Sequence, residues 1–144
     1  MEELKASASR VNTLLSKYIE LHNAFIKNSG SFWSIFKKIN FGSMSGDAYF
    51  LFEQLRDERN NIEKLKNEAK EKKEKEFAES LYQYAKALTE TVHLLFMLLH
   101  ALNEKANGEK LSMNEHMENN KRYQQSVDEY MKRGEELNRI YSTI

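Results

Sequence analysis

From Asp47 to Ala106 the chain contains neither proline nor glycine, and this uninterrupted stretch limits the fold more than any motif does. At 1.5 Å per residue it would make a single helical rod of about 90 Å. The apolar pattern argues for a fold-back instead. Lys70–Glu76 carries no apolar side chain, and the stripe that resumes at Phe77, Leu81, Tyr84, Leu88, Val92 and Leu95 is displaced by one or two residues from the phase of the preceding half. A tight turn is therefore expected near residues 70–76. Elsewhere helix breakers are equally sparse: proline is absent from all 144 residues, and glycine occurs only at 30, 42, 46, 108 and 134. Such punctuation belongs to an all-helical chain.

In chain order, Leu4, Ala8, Val11, Leu14, Leu15, Tyr18, Leu21, Phe25 and Ile26 recur at three- and four-residue steps and predict a first helix over about 2–29, stopped at Ser29-Gly30. The aromatic-rich Ser31–Phe41 follows, read as a short amphipathic helix over about 31–40. The run Gly42-Ser-Met-Ser-Gly46 is read as a loop, and Asp47 as the amino-terminal cap of a helix over about 47–70. A third helix is expected over about 76–106, closed by Asn107-Gly108 as a left-handed carboxyl-terminal cap. Ser112-Met-Asn-Glu115 has the form of a capping box opening a fourth helix over about 112–143, with Met113, Met117, Tyr123, Val127, Tyr130, Leu137, Tyr141 and Ile144 on its stripe. Gly134 falls on the same stripe. Its cost of roughly 1 kcal/mol relative to alanine is either simply tolerated, the plainer reading, or compensates for a bulky neighbour at close range. One long and two short connections then imply a single domain: an antiparallel up-down-up-down four-helix bundle with a short helix in the first connection.

Within that bundle His93–Leu102, HLLFMLLHAL, is apolar almost all the way round. Leu88, Val92, Leu95, Leu99 and Leu102 share one direction, while Leu94, Met97 and Leu98 spread over the flank. Such a helix needs cover on two sides. The expected topology brings the 30–46 connection to the same end, so that Trp33 and Phe36 can lie over Leu94 and Leu98. The alternative is that one of these surfaces stays exposed and binds a protein partner or a second copy of the chain, since large apolar patches on monomers are uncommon and often functional. The candidate partner-binding residues are Phe32, Trp33, Phe36, Lys37, Lys38, Leu94, Met97 and Leu98. Lys37-Lys38 lies among aromatic side chains, a mixture seen in membrane-surface and protein-contact segments alike, and protein contact is favoured because the segment is short and its apolar side has an internal place to go.

Composition narrows the function classes. Basic and acidic side chains balance at 22 each, so no long-range field marks a nucleic-acid partner. Without cysteine, disulfides, thiolate metal sites and cysteine nucleophiles are excluded. The start, MEELKASASR, lacks the basic and apolar regions of a secretory signal, and Leu94–Leu99 is far short of the roughly 20 apolar residues of a membrane span. A cytoplasmic chain without a membrane span is expected. Glu90-Thr-Val-His93 is a Glu-x-x-His step, but a di-iron bundle needs a second one and two further inward carboxylates, and His22 and His116 lack the matching glutamate. His93, His100 and Glu104 share a flank where zinc is conceivable, a constellation that also arises by chance. His100 is followed by Asn103 and Glu104, not by the lysine and glycine of histidine phosphotransfer domains, and no nucleophile elbow, phosphate loop or calcium loop is present. These readings converge on a non-enzymatic binding or regulatory bundle without cofactor or metal, self-associating as a homodimer in one form, with bacterial or phage origin expected from architectural analogy. The alternatives are a toxin or bacteriocin immunity-type inhibitor acting by occlusion, and a bundle that binds a metal or small ligand through His93 and His100.

Overall fold

The structure, a computed structural model, describes residues 1–28 and 40–144. Four helices account for nearly all of them, α1 (Glu2–Asn28), α2 (Phe41–Glu68), α3 (Lys72–Ala106) and α4 (Met113–Tyr141), and there is no strand among the described residues. The short helix expected over 31–40 lies outside the described residues, apart from Asn40, the residue that caps α2.

Three boundaries follow the local signals read from sequence. Ala69 is extended where α2 stops, and α3 begins after Glu71, so the chain turns at the leading edge of the charged 70–76 run. Gly108 adopts φ +100°, and the Glu109 amide donates to the Glu104 carbonyl at 2.9 Å, closing α3 in the left-handed manner that favours glycine. At the next start the Ser112 hydroxyl accepts from the Glu115 amide at 3.1 Å.

The start of α2 corrects the sequence reading. Residues 42–46 are helical, and Asp47 is an exposed interior residue, not the cap. The cap is Asn40, whose side-chain oxygen accepts from the Ser43 amide at 2.9 Å. Phe41, Ser45, Ala48, Leu51 and Leu55 then form one buried stripe at helical spacing. Burying a phenylalanine side chain is worth about 1.5–3 kcal/mol, enough to offset the propensity cost of Gly42 and Gly46 at about 1 kcal/mol each. Gly42 has a packing reason as well: a Cβ there would come within 3.2 Å of Asn103 Oδ1, which puts the start of α2 against the end of α3.

The core is strung along α3. Leu81, Leu88, Val92, Leu95, Leu98, Leu99 and Leu102 are all buried, packed against Leu51, Leu55 and Ile62 of α2, Leu4, Val11 and Tyr18 of α1, and Tyr123 of α4. α3 packs against each of the other three helices, and α2 against α1. α4 is thinly covered: Tyr123 and Tyr130 are its only buried residues, and Met113, Met117, Tyr141 and Ile144 are exposed, contrary to the inward direction expected for that stripe.

Polar ties lock the helices in register. Glu58 of α2 accepts two bonds from the Arg10 guanidinium of α1, at 2.9 and 3.0 Å, and further bonds from Ser7 and Asn61. The Thr91 hydroxyl of α3 lies 2.7 Å from that of Ser126 in α4. Between α1 and α4 the Tyr18 and Tyr123 hydroxyls are hydrogen-bonded at 2.6 Å, and Tyr123 also meets His22 Nδ1 at 2.5 Å.

Candidate contact surface

Of the residues singled out in sequence, Phe32, Trp33, Phe36, Lys37 and Lys38 lie outside the described residues, as does their expected packing over Leu94 and Leu98. The other three are on α3 and separate by depth. Leu98 is 1% exposed and belongs to the core, Leu94 is half-buried against it, and Met97 is 48% exposed. Only Met97 among the three presents an open apolar surface.

Beside it lies a row of rings that the sequence reading passed over. His93, Phe96 and His100 recur at steps of three and four along the outer flank of α3, and Tyr49, Phe52 and Arg56 recur at the same steps on α2. These spacings bring the two rows face to face. Phe52 and His93 have ring centroids 4.9 Å apart, and Tyr49 and Phe96 are 5.1 Å apart. Phe96 continues to His100, 5.7 Å away with the rings near parallel, and to His93 at 6.4 Å. Tyr49 and Phe52 adjoin at 6.1 Å, and the Arg56 guanidinium lies 5.9 Å from the Phe52 centroid. Each such pair contributes about 0.5–1.5 kcal/mol beyond its buried area, so the row is a stiff platform.

This platform is open to solvent along its edge, at Tyr49, 44% exposed, and Met97; Phe50 is exposed too, but lines a separate groove between α2 and α1 with Lys17 and Leu21. The groups it presents are aromatic faces and imidazole rings, with the Met97 thioether on the same flank of α3. His100 also faces Glu104, with Nε2 3.8 Å from Oε1. No group of three histidine or acidic side chains placed to hold a metal ion occurs among the described residues. Glu90, the other half of the Glu-x-x-His step, is exposed while His93 is taken up by ring contacts.

Outside this row, burial raises the phenols of Tyr18, Tyr84, Tyr123 and Tyr130 and lowers the imidazoles of His22 and His116, while hydrogen bonds from Gln83 and Lys66 hold the Glu79 carboxyl, and from Arg139 the Glu136 carboxyl, below the ordinary range. By length and composition α3 is also apolar enough to cross a membrane, yet half of its most apolar window is buried within the protein, as it is in a bundle's core helix.

No protein-family model, curated protein or solved structure matches this chain.

Proposed function

We propose that the chain is a non-enzymatic protein-binding bundle, antiparallel and up-down-up-down, that engages its partner through the aromatic and imidazole row shared by α2 and α3. The topology is supported by the descending pairings Lys66 with Glu79, Phe52 with His93 and Tyr49 with Phe96, and by Phe77 with Tyr141 and Thr91 with Ser126 between α3 and α4. The observation that carries the function is the open edge of that row, where Tyr49 and Met97 each leave a large part of an apolar side chain in water although the rings behind them are fixed. Contiguous exposed apolar side chains at one place mark contact sites, and the anchors of such sites are rigid aromatics. Occlusion of a partner's active surface, as by an immunity-type inhibitor, would use the same face.

The test is crosslinking of the intact protein in its native cells, identification of the captured chain, and titration of the purified pair. Replacing Tyr49 and Met97 together by alanine weakens binding at least tenfold, about 1.4 kcal/mol, while the helical melting curve is kept. Unchanged affinity of a folded double variant overturns the assignment. If the captured chain is a second copy, the same variant abolishes the concentration dependence of the molecular mass.

A further inference from the structure

α1 and α4 approach each other through long side chains at Tyr18 and Tyr123, but toward the start of α1 they stand apart and leave a cleft of about 410 Å³ over α3. Small residues keep it open: Ala8 on the α1 wall, and Gly134 on the α4 wall, where a Cβ would come within 3.3 Å of the Tyr84 ring. Leu81 and Tyr84 form part of its floor, and from Lys5 to Leu15 it runs about 15 Å along α1 at 1.5 Å per residue. Its size lies in the range of small-molecule sites, about 300–1,000 Å³, and its lining is mainly apolar, with Ser9, Asn12 and Asn138 along the walls.

Two of the trough's polar groups bear on what it can hold. Lys5 is the one charged side chain on its lining, and its ammonium takes part in no ion pair among the described residues. Tyr84 is only 8% exposed, and its hydroxyl is hydrogen-bonded to no described residue. A cationic end on a mainly apolar trough selects an elongated molecule with an anionic head, and the length and volume suit a chain of medium length.

We propose that this cleft binds a medium-chain carboxylate, with the carboxylate at Lys5 and the chain lying over Leu81 toward Tyr84. The site is separate from the α2–α3 platform, so its occupancy is tested without reference to any protein partner. Calorimetric titration of the full chain with decanoate below its micellar range gives saturable binding of unit stoichiometry. Decylamine, with the opposite head charge, binds at least about fivefold more weakly, and Lys5→Glu weakens decanoate by about fivefold, the scale of one exposed ion pair. Ala8→Trp fills the trough and abolishes binding. Asn12→Trp, at a solvent-facing position on the rim, does the same without placing a new side chain in the core. Absence of saturable decanoate binding, equal affinity for decylamine, or wild-type affinity in folded Asn12→Trp overturns the proposal.

Discussion

Tyr123 is the place where one atom can be removed with a consequence that the structure fixes in sign and rough size. Its ring is fully buried, and its hydroxyl holds both the Tyr18 hydroxyl at 2.6 Å and His22 Nδ1 at 2.5 Å, joining α4 to α1. Tyr123→Phe removes two hydrogen bonds, each worth about 0.5–1.5 kcal/mol net, and strands the Tyr18 hydroxyl in a side chain only 1% exposed. The expected loss is about 2–3 kcal/mol, or roughly 5–10 °C in melting temperature for a chain of this size. Tyr18→Phe costs less, about 1 kcal/mol, because Tyr123 keeps His22. The double variant is the decisive one. With Phe at both positions no hydroxyl is orphaned, so its loss does not exceed that of Tyr123→Phe alone. Urea unfolding followed by far-UV circular dichroism, with all four proteins compared at neutral pH, measures the cycle. Additivity of the two single losses to within about 0.5 kcal/mol would refute the shared network.

Other consequences concern pH and the start of α2. Partial burial pushes the Glu58 carboxyl up, but the hydrogen bonds from Arg10, Ser7 and Asn61 outweigh it and hold the group below its ordinary 4.5; its stabilisation is present above that pH and is lost as pH falls through the lowered value, so Glu58→Gln loses about 1–2 kcal/mol at pH 7 and flattens the acid limb of an unfolding profile. Burial keeps His22 and His116 below 6.5, so the unfolded chain takes up protons first and stability falls as pH drops below about 6.5; a urea midpoint that is no lower at pH 5.5 than at pH 7.5 contradicts this. The raised phenols act at the other extreme: their stabilisation is complete below about pH 10 and is lost as pH rises further, which a Tyr123→Phe profile in alkali shows as a shallower decline. Phe41→Ala destabilises by about 3–5 kcal/mol, since the side chain is 1% exposed. Gly46→Ala raises stability by about 0.5–1 kcal/mol, because a Cβ there meets nothing within 4 Å on an exposed helical face; no gain in a thermal melt would return residues 42–46 to a loop.

Periodicity and caps carried much of the fold because both are local. The α3 stripe, the break ahead of the charged run, Gly108 and Ser112 each depend on side chains within a turn or two of one another. The start of α2 was hidden because Gly42 and Gly46 carry two meanings: glycine punctuates loops, but here Gly42 admits Asn103 from the end of α3, a contact more than fifty residues away in sequence. Gly134 is the same case: the Tyr84 ring would lie 3.3 Å from a Cβ there, so a bulky neighbour stands at close range, and the plainer reading of a merely tolerated glycine does not hold. The α4 stripe packs inward at Tyr123, Val127, Tyr130 and Leu137 but lies open toward both ends, for a different reason. Periodicity says which face of a helix is apolar, not whether another helix stands opposite it, and α1 stands away from much of α4.

The same distinction bears on the apolar stretch His93–Leu102. One side of it meets the core through Val92, Leu95, Leu99 and Leu102, as the spacing implied. Cover on the outer flank comes from α2, whose Tyr49 and Phe52 reach Phe96 and His93, so the histidines are packing partners of aromatic rings. Both rows were visible in the sequence as i, i+3, i+7 triplets; what local spacing could not supply was the pairing of α2 with α3 that turns two half-exposed rows into one surface. That cover is incomplete, since Met97 and Tyr49 remain partly in water where the rings end. Exchanging Met97 for a polar residue removes exposed apolar surface without touching the core. Met97→Gln is therefore neutral to stability within about 0.5 kcal/mol, and if the edge is a contact site it is binding, not folding, that this substitution changes.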